Sequence, residues 1–179
     1  MYEKTLGSQR IYEGRVVTLD VLDVELENGV QSKREVIRHV GAAAVLPRLP
    51  DGRFLFIRQF RKALERVMIE VVAGTLDSPG EDPLDCAHRE LKEETGYSAD
   101  RMEHLGATYP SPGYVGERID LFYAECVGDP EAASMDHDEF VEACPLTADE
   151  VEEKIVNGEI VDGKSVAAWW LYEKRIRKG

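Results

Sequence analysis

The chain has 179 residues, of which 43% are hydrophobic, enough to build the core of one domain of ordinary size with a small N-terminal appendage. Its formal net charge is -13, which would repel a phosphate backbone or an anionic membrane surface and so argues against nucleic acid or membrane partners. The three cysteines are widely spaced and form no metal-binding motif or disulfide framework, and residues 1–10 are polar. We therefore expect a cytoplasmic protein in a reducing compartment.

The N-terminal part of the chain has the pattern of a small β-sheet. Apolar side chains recur along residues 12–40, and Asn28-Gly29 interrupts them in the manner of a hairpin turn, since both residues tolerate positive φ. We expect residues 1–40 to form an antiparallel sheet segment and residues 41–179 to form a second, larger domain.

The remaining sequence predicts strands mixed with a few helices. The expected strands are Gly41–Leu49, Phe54–Phe60, Ile69–Val72, His104–Tyr109 and Ile119–Glu125. The helix signals are Asp82 as N-cap, Pro83 as first residue and Gly96 at C′ of one helix, a capping box at Thr147–Glu150 for a helix to about Val156, and Gly163 before a helix over Ser165–Arg177. Because strands and helices do not strictly alternate, we expect an α+β sandwich with a mixed sheet.

The helix predicted over residues 83–95 places several carboxylates close together. At about 100° per residue, one stripe is expected to face the core, and it contains Leu84, Ala87, Leu91 and Thr95. Glu90 and Glu94 lie one turn apart on the flank of that stripe, with Glu93 just beyond them. These carboxylates repel one another, and a hard cation that prefers oxygen ligands, such as Mg²⁺, would relieve the repulsion. The alternative is an ordinary acidic surface helix.

Residues 74–97 resemble the Nudix box. The matching positions, in order, are Gly74, Glu81, Arg89-Glu90-Leu91, Glu93-Glu94 and Gly96-Tyr97. One departure is that six residues separate Gly74 from Glu81, where the family usually has five. The extra residue lies in the loop before the helix, so it concerns loop geometry and not the helical carboxylates. The resemblance implies a Nudix-type α/β/α sandwich, a metal-dependent pyrophosphohydrolase, and a mainly structural role for Glu81.

The Nudix resemblance also implies a role for each residue of the acidic helix. Glu90 and Glu94 would be the principal ligands of Mg²⁺, with Mn²⁺ as an alternative ion. Glu93 and the backbone carbonyl of Ala73 would add further oxygens. Arg89 would orient the carboxylates through hydrogen bonds.

Blocks outside the box resemble the ADP-ribose pyrophosphatase branch of the family. They are Arg34-Glu35, Arg38-His39, the strand Gly41–Pro47, Gln59-Phe60-Arg61, Glu70–Gly74 and Tyr109–Gly113. The last block is also explained by a rigid surface turn, because paired prolines are common turn formers. In this branch the N-terminal sheet is exchanged between subunits, so the resemblance implies a homodimer.

The same blocks supply candidate substrate contacts. Arg61 is a candidate diphosphate clamp because a guanidinium can bind two oxygens at once, although an exposed ion pair would explain it equally well. Arg34 and Arg38 are candidate nucleotide contacts from the N-terminal sheet. The predicted substrate-binding set is completed by Glu70, Pro112 and Gly113.

A base for the attacking water is expected in the acidic segment Met135–Phe140. By resemblance, Glu139 matches the catalytic-loop glutamate of the branch and would act with Glu93. The alternative is a hydrophilic loop without a catalytic role, and both descriptions hold if the loop closes over the substrate. His137 is expected to be a bystander.

We therefore expect hydrolysis of ADP-ribose to AMP and ribose 5-phosphate. One alternative is a Nudix pyrophosphatase that acts on another nucleoside diphosphate sugar, such as GDP-mannose. The other is a sensor that binds ADP-ribose without cleaving it, which would tolerate loss of the ligating glutamates that this chain retains.

Overall fold

The structure, a computed structural model, describes residues 1–132 and 140–177, and within them the chain forms nine β-strands and three α-helices. The strands are β1 (Glu3–Glu13), β2 (Thr18–Leu26), β3 (Gln31–Arg38), β4 (Ala42–Arg48), β5 (Phe54–Arg61), β6 (Arg66–Thr75), β7 (Ser98–Thr108), β8 (Ile119–Val127) and β9 (Val141–Leu146). The helices are α1 (Pro83–Thr95), α2 (Ala148–Val156) and α3 (Gly163–Arg175). In these ranges, no helix has both the length and the apolar character needed to cross a bilayer.

The chain divides into two compact units, and the first comprises Met1–Val40 and Tyr109–Arg118. Its antiparallel sheet has the order β1-β2-β3. The hairpin predicted between β2 and β3 is confirmed, with Gly29 at φ 80°. Strand β1 was not predicted, because nearly all of its side chains are exposed and its sequence therefore lacks a buried alternation.

The second unit comprises Gly41–Thr108 and Ile119–Gly179 and contains a six-stranded mixed sheet. The strand order is β7-β8-β4-β6-β5-β9, in which β4 and β8 are parallel and the other neighbours are antiparallel. The predicted strands are present, but β6 and β7 begin earlier than expected. Strand β6 begins early because its backbone pairs with β5 beyond the core, for example at Val67 opposite Phe60. Both of these side chains are exposed, so burial did not mark this part of the strand.

Two hydrophobic cores lie on the opposite faces of this sheet, because successive side chains of a strand point to opposite sides. One core joins α1 to the sheet through Ala43, Val45, Val72, Cys86, Ala87 and Leu91. The other joins α2 and α3 to it through Ala44, Leu46, Val71, Val151, Ala168 and Trp169. Helices on both faces of a mixed sheet make an α/β/α sandwich, so the predicted fold class is confirmed.

The ends of the helices follow the local signals with one exception. Asp82 accepts a hydrogen bond from the backbone of Leu84 at 2.9 Å, and Gly96 ends α1 at φ 75°. The capping box of Thr147 and Glu150 is present at the start of α2. Helix α3 begins two residues earlier than predicted, because Asp162 caps it.

Candidate active site

Helix α1 packs on the sheet with a face that overlaps the predicted one but is rotated from it. Its buried residues are Cys86, Ala87, Leu91 and Glu94, whereas Leu84 is 38% exposed. At 100° per residue, the buried arc is rotated by about 60° from the predicted stripe. The expectation that Leu84 faces the core is therefore wrong, and the rotation turns Glu90 and Glu94 toward the sheet.

The approach of Glu90 to the sheet depends on the missing side chain of Gly74 on β6. A Cβ atom at position 74 would stand 1.9 Å from Cδ and from Oε1 of Glu90. No side chain fits there, so glycine at this position lets the carboxylate lie directly against the backbone of the strand. The side chain of Glu90 is only 12% exposed.

Glu94 lies against the preceding residue of the same strand. Its Oε2 accepts a long hydrogen bond from the backbone N–H of Ala73, at 3.4 Å, and the residue is 8% exposed. Ala73 also carries the carbonyl predicted as a metal ligand. The structure therefore brings Glu90, Glu94 and Ala73 together, while Glu93, with 42% of its side chain exposed, lies on the solvent side.

Arg89 links the acidic residues of the box. Its Nη1 donates to Glu90 at 2.6 Å and to Glu93 at 3.2 Å, and its Nη2 donates to the carbonyl of Thr75 at 3.2 Å and lies 3.5 Å from Glu81. Burial disfavours the charged guanidinium, but the charge of Glu90, the hydrogen bond to it and the charge of Asp77 act in the opposite direction, and the pKa of Arg89 is raised. The orienting role of Arg89 stays a prediction.

The loop with the extra residue supplies a contact that the sequence did not indicate. Oδ2 of Asp77 lies 3.4 Å from Nε of Arg89, a buried nitrogen for which the described residues offer no hydrogen bond of good geometry. Glu81 in turn accepts from the backbone N–H of Asp77 and so holds the loop. In the sequence, only the position of Asp77 in the lengthened loop pointed to this contact.

Arg61 and Glu70, both predicted to contact substrate, form a pair with each other. Glu70 is 3% exposed and accepts from Nε of Arg61 at 2.8 Å and from Nη2 at 2.7 Å. Lys164 donates to the same carboxylate. Burial opposes ionisation of Glu70, but the bonds from Arg61 and the charge of Lys164 hold its pKa down at about 2. Lys164, 94 residues further along the chain, was not predicted.

The donor set fits a hard divalent cation, whereas the side-chain arrangement is not yet that of a formed site. Carboxylates and a backbone carbonyl are the oxygen ligands that Mg²⁺ prefers, and Gly74 provides the cradle for one of them. Across residues 1–132 and 140–177, no three acidic, histidine or cysteine side chains already surround one point. Rotation of the glutamates would be needed to gather their oxygens round one ion, because Arg89 engages Glu90 and Glu93.

The other predicted substrate residues belong to the first unit. Arg34 binds Glu3 through two nitrogens, at 2.7 Å and 3.0 Å. Nε of Arg38 donates to the buried Asp20 at 3.3 Å. Pro112 and Gly113 are exposed in the segment Tyr109–Arg118.

The predicted base lies outside the described residues. Glu139, together with His137, falls in the segment 133–139, so its catalytic role stays a prediction.

The chain matches a known domain family. The NUDIX domain model matches residues 16–168. The chain belongs to the Nudix family. The family membership predicted from residues 74–97 is thereby confirmed.

Named relatives of this Nudix protein fall into several groups. A methanol dehydrogenase activator of Bacillus methanolicus is 46% identical over 167 residues, which are 93% of this chain and 90% of that protein. An ADP-ribose pyrophosphatase of Bacillus subtilis (strain 168) is 42% identical with the same coverage. A GDP-mannose pyrophosphatase of Yersinia enterocolitica is 37% identical over 160 residues, 83% of this chain and 81% of that protein.

A solved structure shares the fold. It is described as the crystal structure of an ADP compounds hydrolase, and it aligns with a TM-score of 0.85 over 99% of this chain and 96% of the other. The two sequences are 22% identical, so the likeness concerns the fold alone.

Proposed function

We propose that this Nudix pyrophosphohydrolase cleaves the diphosphate of ADP-ribose to give AMP and ribose 5-phosphate, with Mg²⁺ as its metal. The observation that carries the proposal is the burial of Glu90 and Glu94 against β6 at Gly74 and Ala73. Buried carboxylates are costly in a folded protein, and a hard cation with oxygen ligands offsets the cost. The relative from Bacillus subtilis that is named ADP-ribose pyrophosphatase supports this choice of substrate.

The residues that would hold the metal are those of the acidic helix and the adjacent strand. Glu90 and Glu94, the carbonyl of Ala73 and the more exposed Glu93 would provide oxygens to Mg²⁺, or to Mn²⁺ in its place. When bound, the ion neutralises charge on the diphosphate and lowers the pKa of a bound water. Arg89 keeps the carboxylates apart and oriented.

The proton of the attacking water would pass to Glu139, assisted by Glu93. In-line attack on one phosphorus then displaces the other phosphate as the leaving group. The role of Glu139 rests on resemblance.

Several residues are proposed to hold the substrate. Arg61, fixed by Glu70, provides donors to the diphosphate, since its side chain remains 39% exposed. Arg34 and Arg38 are proposed to contact the nucleotide. The proposed binding set also includes Pro112 and Gly113.

A second nucleoside diphosphate sugar, such as GDP-mannose, is the main alternative substrate. The relative from Yersinia enterocolitica named GDP-mannose pyrophosphatase supports it. The metal-binding residues would be the same, and specificity would come from contacts to the base and sugar. A sensor that binds without cleavage is disfavoured, because the chain retains Glu90, Glu93 and Glu94.

Activation of a methanol dehydrogenase is a further candidate function. It is favoured by the 46% identity to the protein named methanol dehydrogenase activator. The test measures the rate of purified methanol dehydrogenase with and without this protein. This rate is a different measurement from phosphate release, because it reports the activity of a second enzyme.

Homodimerisation through the N-terminal sheet is also proposed. Strand β1 is an edge strand, and its side chains are almost all exposed. Large apolar side chains are exposed in the same unit, namely Leu6, Ile11, Tyr12, Val16, Val17 and Val30. Large exposed apolar patches mark protein–protein interaction sites. Light scattering on the purified chain measures its oligomeric state.

A cytoplasmic location is proposed for this protein. Its three cysteines are free, as expected in a reducing compartment.

A substrate panel tests the proposed function. Purified protein is incubated with ADP-ribose, GDP-mannose and related compounds, with and without Mg²⁺, and a phosphatase releases phosphate from the monoester products. We expect Mg²⁺-dependent release that is fastest with ADP-ribose. Cleavage in ¹⁸O-labelled water then identifies the attacked phosphorus.

The variant Glu94→Gln is the matched test of the ligand assignment. It keeps the size of the buried side chain, so the chain should fold, but it should lose Mg²⁺-dependent turnover because one carboxylate oxygen is replaced by an amide. The control is Glu142→Gln, a change to an exposed side chain on β9. Full activity of the Glu94 variant would contradict the assignment.

A further inference from the structure

A balanced cluster of four charges lies beside the candidate metal ligands. Glu70 on β6 accepts from Arg61 at the end of β5 and from Lys164 at the start of α3. Lys164 also donates to Asp162, at 3.0 Å. The side chain of Glu70 is 3% exposed and that of Lys164 is 10% exposed, so these two ions are largely removed from water and depend on each other.

The start of α3 is fixed to β6 next to this cluster. Asp162 accepts from the backbone N–H of Ser165 at 3.1 Å and from its hydroxyl at 2.6 Å. The same hydroxyl oxygen accepts from the backbone N–H of Val71 at 2.9 Å, and Ser165 is fully buried. Lys164 therefore comes from a backbone that cannot move away from β6 without breaking buried hydrogen bonds.

The pair with Glu70 engages one edge of the Arg61 guanidinium. Glu70 takes two of the five N–H donors of the guanidinium, from Nε and Nη2, and leaves the Nη1 edge outside the pair. The hydrogen bonds to Glu70 are the main reason that the pKa of Arg61 is raised, and the charges of Asp162 and Glu94 add to the effect. Arg61 is thus within electrostatic reach of Glu94, a competing carboxylate on the acidic helix.

We infer that Lys164 is a positioning residue that acts through Glu70 to hold the guanidinium of Arg61 in place for the substrate diphosphate. Oε2 of Glu70 accepts from both cations, so Lys164 fixes the carboxylate in the orientation that Arg61 needs for its two bonds. Without Lys164, the carboxylate of Glu70 would face Asp162 with no ammonium between them, and their repulsion would turn it away from Arg61. For its substrate, this inference rests on the proposed function.

The test is a double-mutant cycle between positions 164 and 61. We expect Lys164→Met to raise KM for ADP-ribose about tenfold, because one charged hydrogen bond to the substrate is weakened. The kcat and the dependence on Mg²⁺ should change little. Lys164→Arg should restore most of the affinity, because it keeps the charge. In a chain that already carries Arg61→Met, the Lys164→Met change should add almost nothing.

Two further measurements separate positioning from folding. Calorimetric titration of ADP-ribose in EDTA reports binding without turnover and should show the same loss. Exchange of the Nε–H of Arg61, followed by NMR without any ligand, should be faster in Lys164→Met than in the native chain. The matched control is Lys154→Met, which removes a lysine that binds Glu159 on the surface at 2.7 Å. If Lys164→Met fails to fold, Lys164→Gln replaces it in every measurement.

The inference is overturned if the effects of the two substitutions add, or if KM, binding in EDTA and exchange at Arg61 all stay as in the native chain. These results differ from failure of the proposed function. That failure would be a native chain that cleaves no nucleoside diphosphate sugar with Mg²⁺, and the exchange measurement at Arg61 would still decide the role of Lys164.

Discussion

Glu90 occupies the space that a side chain on Gly74 would need, because a Cβ atom there would lie 1.9 Å from its Cδ. Helix α1 carries the acidic residues, and β6 carries the Ala73 carbonyl. The close approach of these two elements therefore requires a glycine at position 74. The packing of Glu90 on β6 depends on a residue sixteen positions earlier in the chain.

Gly74→Ala should therefore displace Glu90. We expect kcat to fall at least about a hundredfold, because a misplacement of about 1 Å is enough for such a loss, and the free energy of unfolding to fall by about 1–3 kcal/mol. Steady-state kinetics and urea unfolding measure the two effects. Gly163→Ala is the control, since a Cβ at that helical position meets open space. Normal kcat in the Gly74 variant would show that Glu90 need not lie against the strand.

Arg89 should be replaceable by neither methionine nor lysine. It bridges Glu90, Glu93 and the carbonyl of Thr75 with separate nitrogens, and an ammonium group is too compact to repeat that geometry. We expect Arg89→Met to lower kcat about a hundredfold and to raise the Mg²⁺ concentration for half-maximal activity, with partial recovery in Arg89→Lys. Arg101→Met, which breaks an exposed ion pair between β7 and Glu125 on β8, should behave as the native chain. Equal activity of the lysine variant and the native chain would count against the bridging role.

Glu70 should make stability depend on pH in the acidic range. Its pKa is about 2 in the folded chain, where burial is outweighed by Arg61 and Lys164, against an ordinary value of 4.5. Between these values the unfolded chain binds a proton that the folded chain does not. The stabilisation is therefore complete above about pH 5 and is lost as the pH falls toward 2, with a total on the order of 3 kcal/mol at most.

The comparison with Glu70→Gln isolates this contribution. Urea unfolding of both chains is measured at a series of pH values from about 6 down to 3. The stability difference between the native chain and the variant should be constant at the upper end and shrink as the pH falls. A difference that stays constant to the lowest pH would exclude a depressed pKa at Glu70.

Gly96→Ala should destabilise the end of α1 for two reasons. Gly96 has φ 75°, and a Cβ there would lie 2.0 Å from the carbonyl oxygen of Glu131, whose backbone N–H donates to Gly96 at 3.0 Å. Gly29→Ala, at φ 80° with nothing within 4 Å, has the same backbone strain without the collision. We expect a loss of about 1 kcal/mol at Gly29 and clearly more at Gly96, measured by thermal unfolding. Equal losses would show that the loop at Glu131 yields easily.

The features predicted correctly from the sequence are those encoded within a few residues. Asn28-Gly29 marks its hairpin because of the φ angles it tolerates, and Asp82, Gly96 and Thr147 mark helix ends because their groups satisfy nearby backbone atoms. The order of residues in the Nudix box likewise identified the family, which the match to the domain model confirms. Strand β1 was not predicted, because it is formed by backbone pairing with β2 and its side chains are almost all exposed.

The sequence by itself therefore determined the local elements, the family and the identity of the acidic residues. Only the tertiary structure decided which side of α1 meets β6, since that rotation depends on the space above Gly74 and not on helical periodicity. It also decided that Arg61 is held by Glu70 and Lys164, which are 94 residues apart. Contacts between such distant residues depend on how helices and strands pack, and no local propensity encodes that packing.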